Sequence, residues 1–102
     1  MRCVDVTVRT QILTRAREIV ADGWLQGDLF DEDLVCLTGA LAKAAYEHGY
    51  TYDKERPWDV LCRDLDLPEV DILVEFNDAP WTTQRDVLYV LDSWCARELV
   101  TA

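Results

Sequence analysis

Val70-Asp71-Ile72-Leu73-Val74-Glu75-Phe76-Asn77-Asp78 is the stretch whose reading decides the fold. Val70, Ile72, Val74 and Phe76 alternate with other residues as a strand would, whereas Val70, Leu73, Val74 and Asn77 share a face at helical spacing. A strand needs a partner. Only residues 3–8 offer one, where Val4, Val6 and Val8 alternate with polar residues. The helical reading is favoured. It gives an all-α fold, a compact bundle of four to five helices. The alternative adds one short β pair, residues 3–8 with 70–76.

The flanking segments are more decisively helical. Val8, Ile12, Leu13, Ala16, Ile19 and Val20 fill one arc of about 140° on a helical wheel, so a first helix runs from about Val8 to Asp22. Gly23 follows, where a left-handed cap is expected. Asp31 is an N-cap candidate for a second helix, with Glu32 and Asp33 at its positive end. Leu34, Leu37, Leu41, Ala44 and Ala45 form its apolar stripe, Gly39 keeps it slim, and Gly49 after His48 is a stop signal. Pro57 opens a short helix through Trp58, Leu61, Cys62 and Leu65, which Pro68 ends. Asn77 suits a left-handed helix end, and Asp78 before Ala79-Pro80 an Asx turn. Thr83 and Asp86 have the spacing of a capping box opening a last helix. Its residues Val87, Leu88, Val90, Leu91, Trp94, Cys95 and Leu99 mark it as the expected centre of the core.

A chain of 102 residues, half of them hydrophobic, is read as a single domain, 1–102. At this size it buries roughly 60–70% of its unfolded surface and needs no staples. Cys3, Cys36, Cys62 and Cys95 are widely spaced without a Cys-x-x-Cys pair, so reduced thiols acting as small hydrophobes are expected. Met1-Arg2-Cys3-Val4-Asp5 does not begin a signal peptide and no apolar run is long enough to span a membrane; the expected location is the cytoplasm.

The formal net charge is −10. Residues 18–42 hold six acids and no base, and residues 64–84 again six acids and no base. The acidic face expected from these runs comprises Asp28, Asp31, Glu32, Asp33, Asp64, Asp66, Glu69 and Asp71. Such a surface repels nucleic acid and anionic lipid and suits a protein with a basic surface.

Catalytic chemistry finds little purchase. His48 is the only histidine, and on one helix it stands about 18 Å from Cys36 along the axis. Its expected role is a cation at a helix C-terminus. The acid clusters lack the pattern of a calcium loop, and no Gly-rich phosphate loop or Gly-x-Ser-x-Gly elbow is present. No metal, cofactor or catalytic residue is expected. Trp24, Gln26, Asn77, Asp78 and Trp81 remain as candidates for an interaction patch or a pocket.

Gly23-Trp24-Leu25-Gln26-Gly27, Cys36-Leu37-Thr38-Gly39-Ala40-Leu41 and Phe76-Asn77-Asp78 with the Thr-opened helix after it resemble a small domain family of unknown function found in actinobacteria and their phages. The resemblance spans residues 12–94; Phe76 stands where Trp is frequent in that family. It implies a helical accessory protein without an established activity. The expected function is a non-enzymatic acidic interaction module, host-directed if phage-borne, with DNA mimicry as one version. The alternative is a ligand-binding protein or small enzyme with a pocket around Trp24, Asn77 and Asp78.

Overall fold

The apolar stripe from Val8 to Val20 folds as expected, but its helix begins earlier. In the computed structural model, which describes residues 6–27, 30–31, 34–49, 62–63 and 65–101, helix α1 spans Val6–Asp22. Val6 and Val8 are therefore helical, and no strand is available there to pair with residues 70–76. That segment is itself helical. Helix α3, Val70–Asp78, turns Leu73 and Asn77 inward at i and i+4. Two further helices among the described residues are α2, Leu37–Glu47, and α4, Gln84–Thr101. The fold is all-α with one short strand pair, placed elsewhere than between 3–8 and 70–76. Strands β1, Phe30–Asp31, and β2, Leu34–Val35, pair antiparallel with Phe30 opposite Val35. Val35 also exchanges backbone hydrogen bonds with Gly23 and Leu25, tying the exit of α1 to the entrance of α2.

The helices pack in the order α4, α1, α2, α3. The two middle helices carry most of the core. From α1 come Ile12, Leu13, Ala16, Ile19 and Val20; α2 buries eight of its eleven residues, including Leu37, Ala40, Leu41, Ala44 and Ala45. The small alanines let α1 and α3 lie on different sides of one narrow helix. The last helix is thus an outer helix rather than the centre: among the described side chains its fully buried ones are Val87 and Leu91, with Leu88, Trp94 and Cys95 packed at the edge.

Helix ends follow local chemistry, with several changes from the expected devices. The Thr83–Asp86 capping box forms: the Thr83 N–H donates to Asp86 Oδ2 at 3.0 Å and the Asp86 N–H to Thr83 Oγ1 at 3.3 Å. Helix α2 is capped by Cys36 rather than Asp31, its thiol accepting from the Gly39 N–H at 3.3 Å. Asp31, Leu34 and Val35 belong to the short strand pair, so Leu34 lies on a strand and outside the helical stripe. Gly23 ends α1 without a left-handed backbone; the glycines with positive φ are Gly27 and Gly49. Asn77 is not left-handed either. Pro80 ends α3 by holding Ala79 extended, at ψ 136°. The expected helix from Pro57 falls mostly outside the described residues; Cys62 and Arg63 are helical, with a cap at residues 65–67. There the Leu67 N–H reaches the Cys62 carbonyl and the Asp66 N–H the Arg63 carbonyl, a Schellman cap with Asp66 at φ 59°.

Ion pairs fasten α1 to its neighbours. Arg15 binds Glu47 of α2 at 2.7 Å and Glu18 at 3.1 Å, and Arg17 binds Asp92 of α4 at 2.7 Å. Hydrogen bonding from Arg15 holds the Glu47 carboxyl below its ordinary range. A lowered folded-state value stabilises the fold above the unfolded-state range, and that contribution is lost as pH falls through the folded value. An NMR titration of Glu47 is expected to give a depressed midpoint that rises in the Arg15→Gln variant; unchanged midpoints would remove the tie.

The caps give a second test. Asp66→Gly relieves a left-handed backbone and is expected to raise stability by up to about 1 kcal/mol, while Gly49→Ala, at φ 77°, lowers it by about 1 kcal/mol. Among the described residues no atom beyond its chain neighbours comes within 4 Å of a Cβ at Gly49, so the loss comes from the local left-handed backbone rather than from tertiary crowding. Denaturant midpoints of the two variants check both signs.

Candidate functional site

Four of the five candidate residues meet at one place, although two come from the loop after α1 and two from the end of α3. Asn77 is its centre. Only 1% of its surface is exposed, and its amide uses its full hydrogen-bonding capacity. Oδ1 accepts from the Trp24 indole N–H at 2.6 Å and from the Leu37 N–H at 3.0 Å. Nδ2 donates to the Leu25 carbonyl at 3.1 Å and to Asp78 Oδ1 at 2.9 Å. Two donors face one side of the amide and two acceptors the other, which fixes its orientation. The Leu37 N–H is one of the donors that a helix start leaves without an intrahelical partner, so Asn77 caps α2 from forty residues away.

The same segments are joined a second time around the first contact. Gln26 Nε2 donates to the carbonyls of Asn77 at 2.9 Å and Ala79 at 2.8 Å, with Thr82 further off at 3.4 Å. The Gly27 N–H donates to Asp78 Oδ1 at 2.9 Å. Asp78 therefore reaches back to the α1–β1 loop instead of closing an Asx turn. Gln84 continues the seam, its amide donating to the Val20 carbonyl at 2.7 Å. Trp24, Gln26, Gly27, Asn77 and Asp78 thus form a polar joint between the exit of α1, the start of α2 and the α3–α4 turn.

Trp81 does not join it. The indole is 81% exposed, at the turn between α3 and α4. Of the expected acidic face, Asp66, Glu69 and Asp71 are exposed. Asp28, Glu32, Asp33 and Asp64 lie outside the described residues, and Asp31 is described only as backbone of β1. Glu75 and Asp78, not among the expected acidic-face residues, are also exposed. On a helical wheel Asp71, Glu75 and Asp78 fill the centre of the outward arc of α3, with Val74 and Ile72 at its edges. The acids were legible in the sequence; their common face depended on the helical reading of 70–78.

Other reactive residue types are occupied structurally or lie apart. His48 is exposed, its Nδ1 2.9 Å from the Ala44 carbonyl one turn back. Cys36 and Cys62 are buried, Cys95 is partly buried, and none of the three is in a disulfide. Among the described residues no three His, Cys, Asp or Glu side chains stand together as metal ligands. A shallow groove lined by Thr10, Gln11, Thr14, Arg15, Glu18 and His48 shares no residue with the Asn77 joint.

The joint is open to a near-isosteric test. Asn77→Asp removes both Nδ2 donors and sets a carboxylate beside Asp78 in a buried position. It is expected to destabilise by about 3 kcal/mol at neutral pH. Burial and Asp78 raise the folded-state value of the new carboxyl, so the loss is expected to shrink at acid pH, where the protonated form donates again. Denaturant unfolding of both proteins across pH 4–8 checks this. A loss below about 1 kcal/mol, or one independent of pH, would show that the amide carries little load.

A family model described as a family of unknown function, DUF6197, matches residues 5–97. No curated protein and no solved structure matches the chain. The matched span contains every residue of the Asn77 joint, from Trp24 to Asp78, together with all of α1, α2 and α3 and most of α4. The chain belongs to the DUF6197 family of unknown function.

Proposed function

We infer that this protein is a non-enzymatic interaction module that presents an acidic face to a protein with a basic surface. The observation that carries the reading is the outward arc of α3. Asp71, Glu75 and Asp78 occupy it, Asp66 and Glu69 precede it, and no Lys or Arg occurs between residues 64 and 84. Two of the basic residues of α1, Arg15 and Arg17, are paired with Glu47, Glu18 and Asp92. The field at this face is therefore negative and favours encounter with cationic partners.

The competing reading, a ligand pocket or active site around Trp24, Asn77 and Asp78, gains less support. A site must have polar groups to spend on a substrate, and the Asn77 amide is spent on four intramolecular bonds. Resemblance to actinobacterial and phage proteins extends the interaction reading to an accessory role in the cytoplasm, the host's own if phage-borne. A DNA-binding host protein is one such basic partner, with the carboxylates of α3 standing in for phosphates.

Recovery of partners from a cell lysate at low and high salt tests the proposal. A partner retained at low salt and released near 0.5 M salt is expected, with loss of retention in the Asp71→Lys/Glu75→Lys variant. No partner at low salt, or retention indifferent to salt and to charge reversal, would overturn it.

A further inference from the structure

We propose that Trp81 is the anchor of this docking face and that the face takes an arginine- or lysine-rich protein segment, held by cation–π contact on the indole and ion pairs to α3. The proposal rests on the interaction reading above and names the chemistry of its occupant.

Trp81 is the outlier among the described tryptophans. Trp24 and Trp94 are half-buried against the core, and the Trp24 N–H is bonded to Asn77. Trp81 is 81% exposed, held at the surface by a turn whose backbone is fixed on both sides: Gln26 binds the Ala79 carbonyl and the Thr82 N–H donates to Ala79. A large aromatic on a fixed turn loses little freedom on binding, which is what an anchor requires. Tyr89, 71% exposed, lies one turn beyond Arg85 on the outer side of α4, and Ile72, 52% exposed, borders the acidic arc of α3. Trp81 follows the last carboxylate of that arc, Asp78, by three residues.

Charge complementarity selects the occupant. An indole face attracts ammonium and guanidinium groups, and the carboxylates that precede it in the chain, Asp66 to Asp78, attract the same groups. A second copy of the chain carries the same charge of −10 and is repelled. Nucleic acid and anionic membrane are repelled likewise. A cationic peptide segment satisfies both the aromatic and the carboxylates at once.

The test uses deca-arginine and deca-lysine as probes, with binding followed by calorimetry at low salt. The wild-type chain is expected to bind both, deca-arginine more tightly because guanidinium stacks on aromatic faces. Trp81→Ala is expected to weaken deca-arginine about 5- to 10-fold and Trp81→Phe by less, the grading a cation–π contact gives. The Asp71→Asn/Glu75→Gln variant weakens both probes. Trp81 and both acids are exposed, and unchanged thermal midpoints will confirm that the variants fold. If Trp81→Ala binds as wild type while the acid variant is weakened, the anchor is refuted and the acidic face survives. If the wild-type chain binds neither peptide, the acidic-face reading falls with it.

Discussion

The Asn77 amide is the contact on which the arrangement of segments depends. It accepts from Trp24 and Leu37 and donates to Leu25 and Asp78, so one side chain joins the exit of α1, the start of α2 and the end of α3. An apolar residue there would leave an indole N–H, a helix-start N–H and a carbonyl without partners in a low-dielectric setting. Burying a polar side chain is tolerable only when every valence is met, and here all four are. The joint specifies which loop sits against which helix end, a choice that apolar contacts alone make poorly.

Its consequences are unequal across the four helices. α1 and α2 are held by a continuous apolar interface, and α4 by its own stripe, its capping box and the Arg17–Asp92 pair. α3 has less: its fully buried residues are Leu73 and Asn77, so half of its deep burial is the polar joint itself. The orientation of its outward arc therefore follows from the amide network. That arc carries Asp71, Glu75 and Asp78, which links the structural role of Asn77 to the proposed acidic face. Asp78 has a share in both, since one carboxylate oxygen serves Gly27 and Asn77 while the residue stays exposed.

Local signals in the sequence were reliable where a segment decides its own structure. The stripe from Val8 to Val20 and the Thr83–Asp86 box translate directly into α1 and the start of α4, because spacing within one turn is the interaction itself. The hairpin was hidden, since strands of two residues carry too little alternation to register and Leu34 fits a helical stripe equally well. Cys36 carries little cap signal in the sequence, because a thiol is a weak acceptor and Asp31 is a stronger cap residue type. Local spacing gives Asn77 and Asp78 only the roles of a left-handed end and an Asx turn. Their side chains act over forty to fifty residues, and no spacing rule reaches that far. In the fold, Gly23-Trp24-Leu25-Gln26-Gly27 and Phe76-Asn77-Asp78 of this chain are two halves of one contact.

The central claim is that these motif residues hold the fold together. Exchange of the Asn77 side-chain amide and the Trp24 indole hydrogens with deuterium, followed by NMR, tests it most directly. The account predicts that both exchange together and only through large-scale opening, with protection comparable to that of the Leu13 and Leu41 amides in the core. Exchange of the Asn77 amide at the rate of an exposed side chain, while α1 and α2 remain protected, would contradict it.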